Sequence, residues 1–167
     1  MNYSMRLMGE HDIPAVLAIQ QESYASELLE SRDIIRQRLL AFPELAWVAE
    51  DERGVCAYLF GYRSHNGKVT PLDGAFAEPR DADCLYLHDL AVAGRAAGCG
   101  IGPALVQRNL AHGRASRLQY SALVSVQESQ QFWSRLGYRV EDALEPAQRD
   151  NLASYGVPAV YMVKPLH

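Results

Sequence analysis

The chain is poor in the features that mark metal, membrane or nucleic-acid proteins. Its 167 residues include three cysteines, Cys56, Cys84 and Cys99, with no C-x-x-C pair and no His-rich spacing, so no metal is expected. No apolar run approaches the ~18 residues of a membrane span, and the opening MNYSMRLMGEHD lacks the long apolar segment of a secretory signal. A reducing cytoplasm is the simplest compartment, and no membrane association is expected. Lysine and arginine, 16 residues against 20 acidic ones, are scattered without a basic tract. Nucleic-acid binding is disfavoured, because phosphate neutralisation needs clustered cations. There is no internal repeat, low-complexity tract or Pro/Ser linker, so residues 1–167 read as a single domain.

What is present is an ordinary globular balance, 49% hydrophobic and 22% charged. Residues 3–8 read as a first strand. Helical spacing follows over 11–24 (Ile13, Val16, Leu17, Tyr24) and 31–41 (Ile34, Ile35, Leu39, Leu40). Asp12 before Pro14 and Ser31 before Asp33 are helix starts. Strands at 46–50 and 55–62 flank the turn Asp51-Glu52-Arg53-Gly54 and predict a hairpin. Residues 64–83 form a long Gly-, Pro- and Asp-rich loop. Then come a strand at 84–93, a helix at about 100–114, a strand at 118–125, a helix at about 128–136, a strand from Gly137 and, after a loop, a last strand at 159–163. The order predicts an α/β fold with a mixed sheet.

The most informative stretch is RAAGCGIGPALV, Arg95 to Val106, directly after the strand LYLHDLAV. Three glycines, Gly98, Gly100 and Gly102, alternate before Pro103 and an apolar helical run. A helix start exposes unpaired N–H groups at the positive end of its dipole, and glycine lets a ligand approach them. Strand, glycine turn and helix thus form an anion cradle. A Walker loop would need Gly-Lys-Ser or Gly-Lys-Thr, which is absent; a dinucleotide fingerprint would need G-x-G-x-x-G and an acid about 20 residues on, and residues 118–124 hold none. Tight helix–strand packing without a ligand is the bland alternative.

LHDLAVAGRAAGCGIGPALV resembles the central motif of the GNAT superfamily of N-acetyltransferases, with Arg95, Gly98 and Gly100 filling its pattern; FWSRLGY, Phe132 to Tyr138, resembles the same family's later aromatic motif. The resemblance implies a mixed, mostly antiparallel twisted sheet of six to seven strands with about four helices. It also implies acetyl-CoA as cosubstrate and an amine as acceptor, with a homodimer as an option. Leu90, Ala91 and Val92 match the segment that leaves backbone groups to the pantetheine arm. Ala96, Ala97, Gly98, Cys99, Gly100, Ile101 and Gly102 match the diphosphate loop, where Arg95 would either add a contact or brace the loop. The family often has an asparagine before the aromatic helix; here Val126 stands there, with Gln127 beside it. The family's usual proton-donating tyrosine is replaced by Trp133, whose indole N–H is no practical acid. Tyr120, Tyr138 and Tyr161 are alternative donors among which the sequence does not choose.

His88 is the candidate base, because its intrinsic pKa of about 6.5 suits work near neutrality. By strand alternation Tyr86 and His88 share a face with Leu90 and Val92, and Asp89 points the other way. Tyr86 would organise a water or line the acceptor pocket. Glu22, Tyr24, Glu27 and Glu30 would border that pocket, or form a solvated helix face. The readings left open are direct acetyl transfer to an amine, a non-catalytic acyl-CoA sensor of the same fold, and a nucleotide-binding α/β protein.

Overall fold

The computed structural model describes residues 2–167. Chain order is β1 (Ser4–Leu7), α1 (Ile13–Ser23), α2 (Arg32–Ala41), β2 (Ala46–Asp51), β3 (Gly54–Ser64), β4 (Cys84–Val92), α3 (Ile101–Ala115), β5 (Tyr120–Val126), α4 (Gln130–Arg135), β6 (Arg139–Val140), α5 (Pro146–Ala153) and β7 (Ala159–Pro165). The strands form one sheet in the order β1-β2-β3-β4-β5-β7-β6. Every pairing is antiparallel except β4 with β5. The mixed, mostly antiparallel sheet expected from the family resemblance is present, with seven strands and five α-helices among the described residues.

Local chemistry accounts for most of these elements. The Ser31 hydroxyl accepts the Ile34 N–H at 3.2 Å and starts α2. Asp12, expected to cap α1, makes no side-chain cap there. Its carboxylate instead takes the Gly9 N–H at 2.8 Å and the Arg6 guanidinium, which ties β1 to the helix entry. The loop expected before the last strand contains α5. None of its residues is buried, so no apolar stripe announced it. It docks by polar contacts: Gln148 Oε1 accepts the Val69 N–H at 2.7 Å, and Asn151 Nδ2 donates to Val69 O at 3.0 Å.

Two helical layers sandwich the central strands, with α1 against β3 and β4 on one side and α3 against β2, β3 and β4 on the other. The long inner strands are buried on both faces. Tyr58, Leu59, Phe60, Tyr62, Leu85, Tyr86 and Leu87 are all at most 2% exposed. The pairing of β3 with β4 contains one irregularity. Phe60 pairs with Asp89, but the next residue, Gly61, pairs with Leu87. His88 is therefore an extra residue in β4, a β-bulge. Gly61 sits beside it, pressed against α3: a Cβ there would lie 2.8 Å from Asn109 Nδ2 and 3.1 Å from Tyr86 O.

Gly61→Ala is expected to lower stability by about 1–3 kcal/mol, the usual cost of forcing atoms into a packed core. Asn109 would have to give up its 3.2 Å hydrogen bond to Leu45 O. Urea unfolding at neutral pH checks it; a change within 0.3 kcal/mol would contradict the close approach.

Candidate functional site

β4 and β5 pair only from Cys84 with Tyr120 to Leu87 with Leu123. Beyond that point they diverge, and a cleft of about 600 Å3 opens between them. Ala93 N–H donates to Cys56 O of β3 at 2.8 Å. By alternation, the main-chain groups of Leu90 and Val92 then face away from β3, into the divergence. Leu90, Ala91, Val92, Val124, Val126 and Trp133 line the middle of the cleft.

The glycine-rich loop closes one end. Ala96, Ala97, Gly98, Gly100, Ile101 and Gly102 line it. Gly98 and Gly100 adopt φ of 78° and 77°, a left-handed geometry that favours glycine. The local turn uses Ala96 N–H on Ala93 O and Ala97 N–H on Gly94 O, and α3 begins its ladder with Ala104 N–H on Gly100 O. Between them, the N–H groups of Gly98, Cys99, Gly100, Ile101 and Gly102 have no partner among the described residues. Five unpaired donors at the N-terminus of a 15-residue helix suit an anion.

Arg95 does not point at these donors. Its guanidinium pairs with Asp51 and lies 3.3 Å from Gly54 O and Val55 O, bracing the loop against the β2–β3 turn. Of the alternatives the sequence left open for this side chain, the contacts match the brace. Cys99 is exposed, its thiol 3.8 Å from Ala97 O, and it does not line the cleft. Gln127 does line the cleft, but its amide accepts Ala25 N–H at 2.9 Å and donates to Ser23 O at 3.0 Å. It ties the end of β5 to the end of α1 and is not a free amide for a ligand.

The other end of the cleft holds the titratable groups Tyr24, Glu30, His88, Asp89 and Tyr155. The bulge rearranges them relative to simple alternation. Tyr58, Phe60 and Tyr62 are alternate residues of β3; Tyr62 pairs with Tyr86 and Phe60 with Asp89. Tyr86 and Asp89 thus share a face, while Leu90, opposite Leu59, lies on the α3 face. The expected grouping of Tyr86 and His88 with Leu90 and Val92, and of Asp89 against them, is overturned by the one-residue insertion.

His88 Nε2 lies 3.1 Å from both Glu30 oxygens, its side chain is 2% exposed, and Nδ1 is buried without a partner. The imidazole is buried against Glu30, and His88 is among the residues that line the cleft. Tyr86, its ring stacked on that of His88, is fully buried and does not line the cleft. Glu30 gathers four segments. Its oxygens accept a 2.7 Å fork from Arg38 of α2 and the Asp73 N–H of the long loop at 2.8 Å, besides facing His88. Its main chain exchanges hydrogen bonds with the Gln20 amide of α1. Burial alone would raise the Glu30 carboxyl, but His88 and Arg38 hold it well below the usual range.

Asp89 has the opposite balance. It accepts from Tyr24 at 2.8 Å and Tyr58 at 2.9 Å, yet burial, helped by the Glu30 charge, pushes its carboxyl above the usual aspartate range. Tyr24 also lies 2.8 Å from Leu90 O, on the splayed edge of β4. One hydroxyl hydrogen therefore serves two acceptors. Sequence reasoning set Asp89 aside as a residue pinning a loop or helix, and it did not foresee the Tyr24 hydroxyl as its partner or Tyr155, just beyond α5, in the cleft lining. Among the described residues, no group of His, Cys, Asp and Glu suited to a metal ion is found, and no helix is long and apolar enough to cross a membrane.

Residues 13–138 match the sequence profile of the Acetyltransferase (GNAT) family. Among solved structures, the loading GNATL domain of CurA from Lyngbya majuscula aligns with TM-score 0.79 at 13% identity, covering 99% of this chain and 98% of that one. A GphF GNAT-like decarboxylase in complex with isobutyryl-CoA aligns at 0.76 and 16% identity, covering 98% and 100%. Ard1 from Thermoplasma volcanium aligns at 0.71 and 18% identity, covering 99% and 98%. No curated protein sequence matches at a significant level.

Arg38→Ala is expected to destabilise the protein by about 3–5 kcal/mol, because it strands a buried carboxylate. Glu30 has a lowered carboxyl pKa in the fold, so its contribution is present above the ordinary glutamate range and lost as pH falls through and below it. The variant should show a flatter loss of stability with acid than the native chain. Denaturant unfolding across pH 3–7 (roughly the carboxylate range) measures both; a loss under 1 kcal/mol with an unchanged acid profile would contradict the role given to the fork.

Proposed function

Since the chain belongs to the GNAT acetyltransferase family, we propose that it takes an acyl-coenzyme A, acetyl-CoA first among them, and passes the acyl group directly to a primary amine of a small molecule or protein. The observation that carries this reading is the cleft itself, with five free N–H donors at one end and a buried carboxyl of raised pKa at the other. A diphosphate fits the first feature, since its charge meets main-chain donors and a helix N-terminus. The splayed edge of β4 fits the amide-bearing arm of the donor substrate, because the main-chain groups of Leu90 and Val92 are turned toward it.

In this reading the residues divide the work. Gly98 to Gly102 hold the diphosphate. Leu90 and Val92 offer main-chain hydrogen bonds to the arm and, where the acyl carbonyl lies, a donor for the charge that builds on its oxygen. Ala91, Val124, Val126 and Trp133 exclude water. Asp89 is the base. It borders the cleft, and its raised pKa makes it a better proton acceptor than an ordinary aspartate. His88 serves as a positioning residue, joining Glu30 to the bulge that presents Asp89. Holding an acyl-CoA without turnover is the second reading, favoured by Trp133 at the position of the family's usual tyrosine.

Thermal unfolding with and without coenzyme A tests the cleft, since ligand at 100 times its Kd adds about 2.7 kcal/mol. NAD and ATP should add nothing. Gly100→Asp should weaken coenzyme A binding roughly tenfold or more, equivalent to about 1.4 kcal/mol, from backbone strain at φ 77° and repulsion of the diphosphate; calorimetric titration gives the constant. Unaltered affinity would remove the loop from the site.

A panel of amines with a free-thiol assay tests turnover. Asp89→Asn should cut the rate by roughly 100-fold while leaving coenzyme A affinity in place. A base must be ionised, so native activity should fall as pH drops through the raised Asp89 pKa, at a higher pH than an ordinary aspartate would set. A His88→Ala variant more damaged than Asp89→Asn, with its stability intact, would return the base role to histidine.

A further inference from the structure

The mechanism so far leaves the departing sulfur without a proton, and Trp133 cannot supply one. Of the tyrosines weighed as substitutes, Tyr138 is buried against Ser121 at 2.7 Å, Tyr161 accepts the Gly67 N–H at 2.7 Å, and neither these nor Tyr120 lines the cleft. Two tyrosines do line it. The Tyr155 hydroxyl is committed to Thr70 O at 2.8 Å, on the side of the long loop. Tyr24 alone reaches the splayed strand edge, where Leu90 O accepts from it, and the same hydroxyl touches Asp89 Oδ1.

We propose that Tyr24 is the catalytic acid, and that its 2.8 Å hydrogen bond to Asp89 closes the proton circuit between the acceptor nitrogen and the donor sulfur. This rests on the acyl-transfer reading above. A neutral amine attacks the thioester carbon, forming the C–N bond. The C–S bond breaks and its electron pair leaves on sulfur. The nitrogen gives a proton to the Asp89 carboxylate, and the sulfur takes one from the Tyr24 hydroxyl. Asp89, now protonated, returns its proton to the Tyr24 oxygen. The sum is amine plus thioester giving amide plus thiol, with both side chains restored and no proton drawn from solvent.

Three observations fit this exchange. The Tyr24 hydrogen has two acceptors at equal distance, so the carboxyl can donate to the phenol when the phenol turns to Leu90 O. Tyr58 holds the second Asp89 oxygen at 2.9 Å, which keeps the first directed at Tyr24. Burial and the neighbouring carboxylate push the Tyr24 phenol well above its usual range and make it a weak acid when alone. Protonation of Asp89 by the nitrogen removes that negative charge, so the phenol gives up its proton only as the carboxyl beside it is ready to replace it. The titratable groups around the pair are Tyr58 of β3, His88 of β4, Glu30 before α2 and Tyr155 after α5; among them Glu30 carries the formal negative charge, which is offset by Arg38.

The test replaces Tyr24 in the full chain by phenylalanine and, separately, by 3-fluorotyrosine, which keeps the hydroxyl but makes it more acidic. Single-turnover acyl transfer should fall roughly 100-fold or more in Tyr24→Phe, with coenzyme A affinity within threefold of native, about 0.6 kcal/mol. The fluorinated protein should keep its turnover and lose it at a lower alkaline pH than the native chain. Its fluorine resonance should shift on adding coenzyme A and not on adding the analogue whose thiol is replaced by hydrogen, a readout independent of activity. Equal fluorine shifts with both ligands, or Tyr24→Phe turning over within threefold of native, would overturn the proposal. If the native chain binds coenzyme A but acylates no amine, the acyl-transfer reading itself fails, whatever Tyr24 does.

Discussion

One extra residue in β4 governs the chemistry of this fold. With His88 inserted opposite the Phe60–Gly61 step, Tyr86 and Asp89 come to the same side of the sheet. The parallel ladder to β5 ends one residue earlier, at Leu87. The bulge and the divergence of the two strands are thus neighbours. Together they convert a fully paired sheet centre into a cleft with free main-chain groups and a buried carboxyl. The close approach of Gly61 to α3 fits the same local geometry, since the helix packs against the bulged pair without an intervening side chain.

Around this point the protein sorts its buried carboxylates by their partners. Glu30 receives a cationic fork and a main-chain donor, and stays ionised as a hub joining α1, α2, the long loop and β4. Asp89 receives only neutral hydroxyls and lies within the field of Glu30, so its charge is disfavoured. Two neighbouring acids, one just before α2 and one on β4, therefore hold their protons differently. The first stays ionised because its charge is satisfied; the second is more easily protonated because its charge is not, which is what suits it to the proton transfer proposed above.

At the far end of the cleft, the loop works by omission. Arg95 turns away to Asp51 and the β2–β3 turn, leaving the donors of Gly98 to Gly102 to act as main-chain groups alone. A braced loop loses little freedom when an anion arrives, and preorganised donors cost no rearrangement. Gln127, which joins the β5 end to residues 23 and 25, holds the cleft walls in the same way.

Element order, the hairpin, the mixed sheet and the glycine-rich cradle were legible in the amino-acid sequence, because periodicity, turn residues and N-terminal glycines are local signals. The family resemblance was legible for the same reason, since its two motifs are continuous runs, 87–106 and 132–138. Helix α5 was not, because it docks through Gln148 and Asn151 and carries no apolar stripe. Nor was the choice between a ligand contact and a brace for Arg95, or the tie made by Gln127, since their partners lie about 40 and 100 residues away. The orientation of Asp89 depended wholly on tertiary structure. Alternation assigns faces only within an unbroken ladder, and the register of β4 is set jointly by β3, by α3 behind Gly61 and by the point where β5 departs. The sequence by itself determined where the glycine-rich turn meets the helix; packing between distant strands decided on which side of the sheet Asp89 lies, because one inserted residue reverses every face that follows it.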